Sequence, residues 1–583
     1  MRKIILPVAL AALVLGGGYY AYNKFNNQQN FIDQAYTADL GKYYGVDLSK
    51  TKAKFTFTSS EKLKAFVEAY VAERAQHDQI VDLNFIDVSQ LTDLDYLFAG
   101  KYRFLTEDDF ADSDVLENNS KFIFLEEDLA FVCETTPSYA VDISKWNTSQ
   151  VKSLAYTFAC GDNQFDLSNW DTSNVESLRA TFALNQAFNG DISAWNVANV
   201  QDMNNTFADA IAFKGDLSKW QVGKVKTMMS MFSNASSFTS DLSNWDVGQV
   251  TDMSSMFYGA TNFNSDLSKW NVSQVTDMST MFSQARNFNS DLSNWQVGAV
   301  KDMFSMFYHA EKFNSDLSKW NVANVTDMGM MFTSAKSFNS NLTNWNVSKV
   351  DNMGGMFFGA TSFNGDVSNW DVSKVTTMTH MFGNATSFNQ DLSKWNVSAV
   401  EDMDSMFSNA SAFNSDLSQW NVANVTSMES MFNGATSFNS DLNNWDVSKV
   451  TSMESMFADA TNFAGNISKW NVSNVTSMSA MFRNASNFNS DLSNWDVGNV
   501  DNMAMMFAGA KSFTSDLSGW NVSNVTDMSF MFRDAANFTS NLNNWQLTSL
   551  RTALYMFTGS GITPASVATW QTQKPKIYAN LGF

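Results

Sequence analysis

The chain has 583 residues, 44% of them hydrophobic and only four of them proline, which fits an array of folded units and argues against a disordered tail. Its formal net charge of −22 argues against a nucleic-acid binder, which needs a basic face for phosphates. The acidity itself implies solubility and little more.

The first element is "MRKIILPVALAALVLGGGYYAYNKF", in which Arg2 and Lys3 precede an uncharged run from Ile4 to Tyr22 and Lys24 follows. That layout is an export signal. Residues 1–24 are therefore expected to be a signal peptide, with a cut after Gly18 conceivable, or a retained anchor with its positive end in the cytoplasm. Either way the rest of the chain is expected to be exported, to the cell surface, the periplasm or the medium. Residues 25–85 are expected to form an N-terminal cap, because "SSEKLKAFVEAYVAER" reads as an amphipathic helix near 59–74. An irregular array start follows over 86–145. There "IDVSQLTDLDYLFAG" is a degenerate copy with Ile86 in the Trp position, and Leu105–Glu117 is an acidic insertion. Cys133 and Cys160 are the only cysteines; an exported chain permits them to pair, and their spacing leaves the disulfide open.

From residue 146 to 570 the array is regular. All eighteen Trp obey one rule, falling at 146 and 170 and then every 25 residues from 195 to 570. A strict period over this length predicts a repeat solenoid in which each repeat is one coil. Seventeen steps of about 4.8 Å would make it roughly 80 Å long. Within a coil, Leu267-x-x-Trp270-x-Val272-x-x-Val275 has the spacing of a short parallel strand. Val275, Met278, Met281/Phe282 and Ala285 then recur at helical spacing, with Thr276 as N-cap. Thr426 to Glu429 and Thr451 to Glu454 have the form of capping boxes. Trp195, Trp220, Trp245, Trp270, Trp295, Trp320, Trp345 and Trp370 are expected to form a buried ladder. Residues 571–583, "QTQKPKIYANLGF", read as a C-terminal cap.

"FNSDLSNWDVGQVTDMSSMFYGATN" resembles the repeat of BspA-type leucine-rich repeat surface proteins, in the 25-residue Trp/Met form noted in mycoplasma surface proteins. The similarity is close from about 187 to 545 and looser from 142 to 186. It implies a right-handed, leucine-rich-repeat-like α/β array, bacterial surface exposure and, in some members, adhesion. One departure is evident: the inward Asn ladder of ordinary leucine-rich repeats would fall at Val275, so the backbone there needs other partners.

His77, His309 and His380 occur singly, with no Cys or carboxylate at ligand spacing, and no phosphate loop or nucleophile motif stands out. The acids recur coil after coil, whereas a catalytic residue should break the repeat once. No enzyme, metal or cofactor is expected. The row Asp191, Asp216, Asp241, Asp266, Asp291, Asp316 is the best metal candidate, but Asn341, Asn466 and Asn541 fill the same slot. Asn replaces Asp well at a turn cap and poorly at a calcium ion, so turn capping is the better reading. Binding should lie where copies differ at the surface: Tyr258, Phe304, Tyr308, His309 and Phe358, with the nearby cations Arg286, Lys301 and Lys312. Tyr258, Tyr308 and Phe358 share one position in alternate coils, and rings folded over the outer face without any ligand are the competing reading. The expected function is a non-enzymatic adhesion or recognition scaffold for an extracellular protein or glycan. The alternative is a rod that assembles with copies of itself. No nucleic acid is expected, and membrane contact only through an uncleaved N-terminus.

Overall fold

The computed structural model describes residues 47–50, 54–104, 122–126, 129–135 and 139–583. The leader over 1–24 and the acidic stretch Leu105–Glu117 lie outside them. Residues 1–290 and 291–583 are two compact units.

In the first unit, Ser60–Arg74 forms helix α1, whose N-terminus is capped by Ser59 Oγ accepting from the Lys62 N–H at 3.3 Å. Leu63, Phe66, Val67, Tyr70 and Val71 recur at three- and four-residue spacing and are buried. Phe66 stacks on Tyr70 at 5.6 Å, and Phe85 meets both rings edge-on. β1 (Phe55–Thr56) runs parallel to β3 (Ile86–Asp87), and β2 (Ile80–Asp82) runs parallel to β7 (Ala140–Asp142). The second pairing sets Ile80 against Ala140, a step of sixty residues, and Asp93 bridges Ser153 at the same step. The degenerate coil at 80–100 therefore packs directly on the coil at 140–160. The intervening chain leaves the stack as an antiparallel sheet in the order β4 (Lys101–Phe104), β6 (Leu129–Thr135), β5 (Phe122–Glu126). Its tie to the stack is a disulfide between Cys133 and Cys160.

The repeats bury the expected apolar set. Leu267, Trp270, Val272, Val275, Met278, Met281, Phe282, Ala285 and Phe288 are each at most 4% exposed, and the same columns are buried in the second unit. The local structure that buries them differs from the one expected. Val275–Ala285 is not a helix, and Leu267–Val275 is not a strand; the repeat is a run of tight turns with one isolated parallel bridge, at Asp252–Asp277 and equivalent positions.

The hydrogen bonds explain the correction. A helix would spend its N–H groups within the segment, on carbonyls four residues back. Here the N–H groups of Met256, Tyr258 and Ala260 close three-residue turns onto Met253, Ser255 and Phe257. The alternate N–H groups, of Met253, Ser255, Phe257 and Gly259, donate to Asp277, Ser279, Met281 and Ser283 of the next repeat at 2.7–3.1 Å. The middle turn needs no positive φ, but the first and the last place a left-handed residue in third position. Two columns supply it: Ser230, Ser255 and Thr280 at φ 53° to 55°, and Asn234, Gly259 and Gln284 at φ 54° to 63°. Thr276 is accordingly no helix cap. Its N–H and Oγ1 both donate to Thr251 O of the preceding repeat, at 2.8 and 3.1 Å. Thr426 and Thr451 do the same with Glu401 and Thr426, so neither forms a capping box.

The bend at Val275 is satisfied in the same way: its own N–H reaches Val272 O at 3.0 Å. An Asn ladder does exist, but on the outside, after the second Phe. In the second unit, the N–H groups of Asn339, Asn364, Asn389, Asn414 and Asn439 each donate to the Asn side chain one repeat back, at 2.8–2.9 Å.

The indoles are sandwiched between repeats. Trp195, Trp220, Trp245 and Trp270 in the first unit donate Nε1–H to the carbonyls of Leu167, Ile192, Leu217 and Leu242, at 3.0–3.2 Å. In the second unit Trp320, Trp345 and Trp370 donate to Leu292, Leu317 and Leu342 at 2.9 Å, and Trp295 is 2% exposed. That array ends in α2 (Trp570–Gln573) and α3 (Pro575–Tyr578). Trp570 stacks on Trp545 at 5.9 Å, and the carbonyls of Asn580 and Leu581 accept from Tyr555 and Phe557 N–H at 2.9 Å.

Candidate functional site

Because the inward columns hardly vary, chemistry that differs between repeats can reside only on the outer face, along the two left-handed columns and the residues beside them. Tyr258 and Arg286 belong to the first unit; Lys301, Phe304, Tyr308, His309, Lys312 and Phe358 belong to the second. Arg286, Lys301 and Lys312 are exposed, whereas all five aromatic candidates are half-buried.

The rings lie back against the protein. Tyr258 Oη accepts from Gln284 Nε2 at 2.7 Å, one repeat on. Tyr308 packs edge-on against His309 at 4.5 Å, and burial pushes its phenol above the usual range. Phe358 meets His380 edge-on at 5.6 Å, and a Cβ placed on Gly383 would approach its ring to 2.9 Å. The Phe358 ring thus occupies the space above a glycine of the next repeat. The column alternates large and small: Tyr258 with Ser283, Tyr308 with Thr333, Phe358 with Gly383. In the second unit, Tyr308 and Phe358 are therefore separate anchors. Phe304 lies in the coil of Tyr308 and His309, where its N–H caps onto Asp302 Oδ1 at 2.7 Å. His380 is held below the ordinary imidazole value by burial, with the Asp402 charge opposing.

The carboxylates divide by surroundings. Asp191, Asp216, Asp241 and Asp266, and in the second unit Asp291 and Asp316, each accept from the N–H two residues on, at 2.9–3.0 Å. Hydrogen bonds from those serines hold Asp216 and Asp266 below the ordinary carboxylate range. Asn341, Asn466 and Asn541 make the same bond at 3.0–3.1 Å, so the column needs an acceptor rather than a charge. Asp209 is the contrast. It is 6% exposed at φ 58°, and burial pushes its carboxyl up to about 7 against a bond from Asn234 Nδ2 at 3.2 Å. Four residues earlier Asn205 is fully buried with neither amide atom paired.

The sequence reading passed over Asp209, Asn205 and a second set in the left-handed column of the last coils: Ala480, Met505, Phe530 and Tyr555. The signal was available, since that column changes from Ser or Thr to apolar residues at a strict 25-residue step. Among the described residues, no group of three or more His, Cys, Asp or Glu is placed to hold a metal ion. A shallow polar depression of about 550 Å³ beside Asp316, Asn339 and Asn341 offers no enclosed chemistry. Among the described residues, no helix is long and apolar enough to cross a membrane.

A family model described as "Mycoplasma protein of unknown function, DUF285" matches residues 67–161, 159–261, 238–345, 312–418, 390–482 and 462–570. No curated protein matches the chain. The matches overlap into continuous cover from 67 to 570, and the chain belongs to this family of repeat proteins of unknown function.

Proposed function

We propose that the protein is a non-enzymatic recognition scaffold on the bacterial surface, binding an extracellular protein or a glycan through the outer face of its repeats. One observation carries the reading. The inward Trp, Met and Phe columns are kept repeat after repeat, while the outer column beside them, which is buried at Ser283, Thr333 and Gly383 and half-buried at its rings, runs through Ser, Tyr, Thr, Phe, Gly and Arg. A molecule built only to fold has no need of that variety, whereas aromatic and cationic anchors on a polar, acidic surface suit a partner. We place the coil with right-handed leucine-rich-repeat-like solenoids, a relation resting on the 25-residue period and the parallel bridge between successive repeats rather than on a strand at 267–275. Export through residues 1–24 is part of the same proposal, and a reporter carrying residues 1–30 that stays in the cytoplasm would contradict it.

The test is a binding screen of the chain against extracellular-matrix proteins and glycans. A saturable ligand is expected, with binding weakened at least tenfold by joint replacement of Tyr258, Tyr308 and Phe358 with Ser. No ligand from either class would overturn the reading, and a ligand indifferent to the three rings would move the site elsewhere.

A further inference from the structure

Outward-facing left-handed positions are polar in most repeats: Ser230, Ser255 and Thr280 in the first unit, Ser405, Ser430 and Ser455 in the second. Two stretches depart from this. In the first unit the column reads Tyr96, Tyr156, Ala180, and there it is covered. Tyr156 is 8% exposed and Ala180 fully buried, and Tyr102 and Cys133 of the antiparallel sheet pack onto them. Tyr96 stacks between Tyr156 at 4.6 Å and Tyr102 at 5.6 Å. In this stretch of the first unit the chain lays a cover over the apolar column.

The second stretch is Ala480, Met505, Phe530, Tyr555, in the last four coils of the second unit. Met505 is 37% exposed, Tyr555 57%, and Leu554 beside it 45%. Phe530 stacks on Tyr555 at 5.9 Å with the Arg533 guanidinium 5.8 Å from its centroid. Ala480 is only 6% exposed, so the strip proper is Met505, Phe530 and Tyr555 with Leu554, apolar side chains on successive coils. Its flanks carry both signs in adjacent pairs, Arg483 with Asp459 at 2.5 Å and Arg533 with Asp534 at 3.4 Å.

We propose that this face pairs with the same face of a second copy of the chain, in a two-fold dimer. An isologous interface must be complementary to itself. An apolar strip with an Arg–Asp pair on its flank meets that condition when the two-fold axis lies between Arg533 and Asp534, so that Arg533 of one copy faces Asp534 of the other. A foreign acidic or basic partner would meet like charge at half of these positions. The inference stands apart from foreign-ligand recognition, since it concerns other residues and another partner. The strip is a few side chains wide, well under a standard interface, so the dissociation constant should be on the order of 10–100 µM.

The experiment is sedimentation equilibrium of the whole chain from about 1 to 200 µM. The weight-average mass should rise from one chain toward two. Tyr555→Asp should raise the dissociation constant at least tenfold; Ser255→Asp, in the same column of a polar coil, should leave it unchanged. Arg533→Glu and Asp534→Arg should each weaken self-association, and an equimolar mixture of those two variants should recover a mixed dimer. A chain that stays monomeric to 200 µM, a Tyr555→Asp variant that dimerises like wild type, or a mixture no tighter than its components would each overturn the proposal. Tyr555 is an exposed residue, and an unchanged near-ultraviolet spectrum separates loss of pairing from loss of fold.

Discussion

At the scale of single residues, the coil depends on side chains that tolerate a left-handed backbone. Gly, Asn and Asp do so at little cost, whereas a β-branched residue there is strained by about 1–2 kcal/mol. Thr280 sits at φ 53°. Thr280→Asn is therefore expected to stabilise the first unit by about 0.5–1 kcal/mol, read as a higher urea midpoint by Trp fluorescence. Asp209 supplies a pH test. Its folded carboxyl titrates near 7, against an ordinary value of 3.8. The unfolded chain thus releases this proton first, and stability must fall as pH rises from about 4 to 7, then stay low. Asp209→Asn should remove that dependence, raising amide protection around residues 205–213 at pH 8 by on the order of 2–4 kcal/mol and leaving pH 4 unchanged. A variant matching wild type at pH 8 would show that Asp209 is not buried as described. Asp216, held low by Ser218, has the opposite sign: its contribution is present above about pH 4 and lost below it.

At the scale of elements, the buried columns were legible in the sequence because a 25-residue repeat forces the same residue types into the same environment seventeen times. The local conformation was not. Val275, Met278, Met281/Phe282 and Ala285 fit a helical face and equally fit a chain of tight turns, since both return to one side every three or four residues. What separates them is the column at every 25th residue from 209 to 559, in which Asn, Gly or Asp fill twelve of fifteen places. Those are left-handed residues and poor helix formers. Apolar period alone does not separate the two conformations, whereas turn chemistry does. The antiparallel sheet was hidden for another reason: its place is fixed by the Cys133–Cys160 bond and the tyrosine stack, contacts remote in sequence. Cys133→Ser should release it. With 27 residues between the sulfurs, the bond is expected to contribute about 3 kcal/mol. Limited proteolysis should then cut within residues 122–135 while Phe188–Ser290 stays resistant; cleavage spread over both would mean that the sheet holds the coils together.

At the scale of the whole molecule, what the sequence could not disclose about the candidate site is which exposed rings are available. Tyr258, Tyr308 and Phe358 stood out as large residues in a small-residue column, yet alternation with Ser283, Thr333 and Gly383 lets each ring lie on its neighbour. Met505 and Tyr555 project further, at 37% and 57% exposed. Within each unit, every regular repeat is held by its neighbours through an inward indole and a ladder of backbone bonds. Trp370 stacks on Trp345 and Trp395 at 6.2 and 6.3 Å and donates to Leu342 O. Truncating it should cost roughly 3–5 kcal/mol, confined to its own and adjoining coils. Hydrogen exchange of Trp370→Ala, resolved along the chain, tests this most directly. Lost protection is expected around residues 342–395, with wild-type protection from about 470 onward. Unchanged exchange near 370 would place the indoles in solvent, and uniform loss across 291–583 would contradict neighbour-by-neighbour stability.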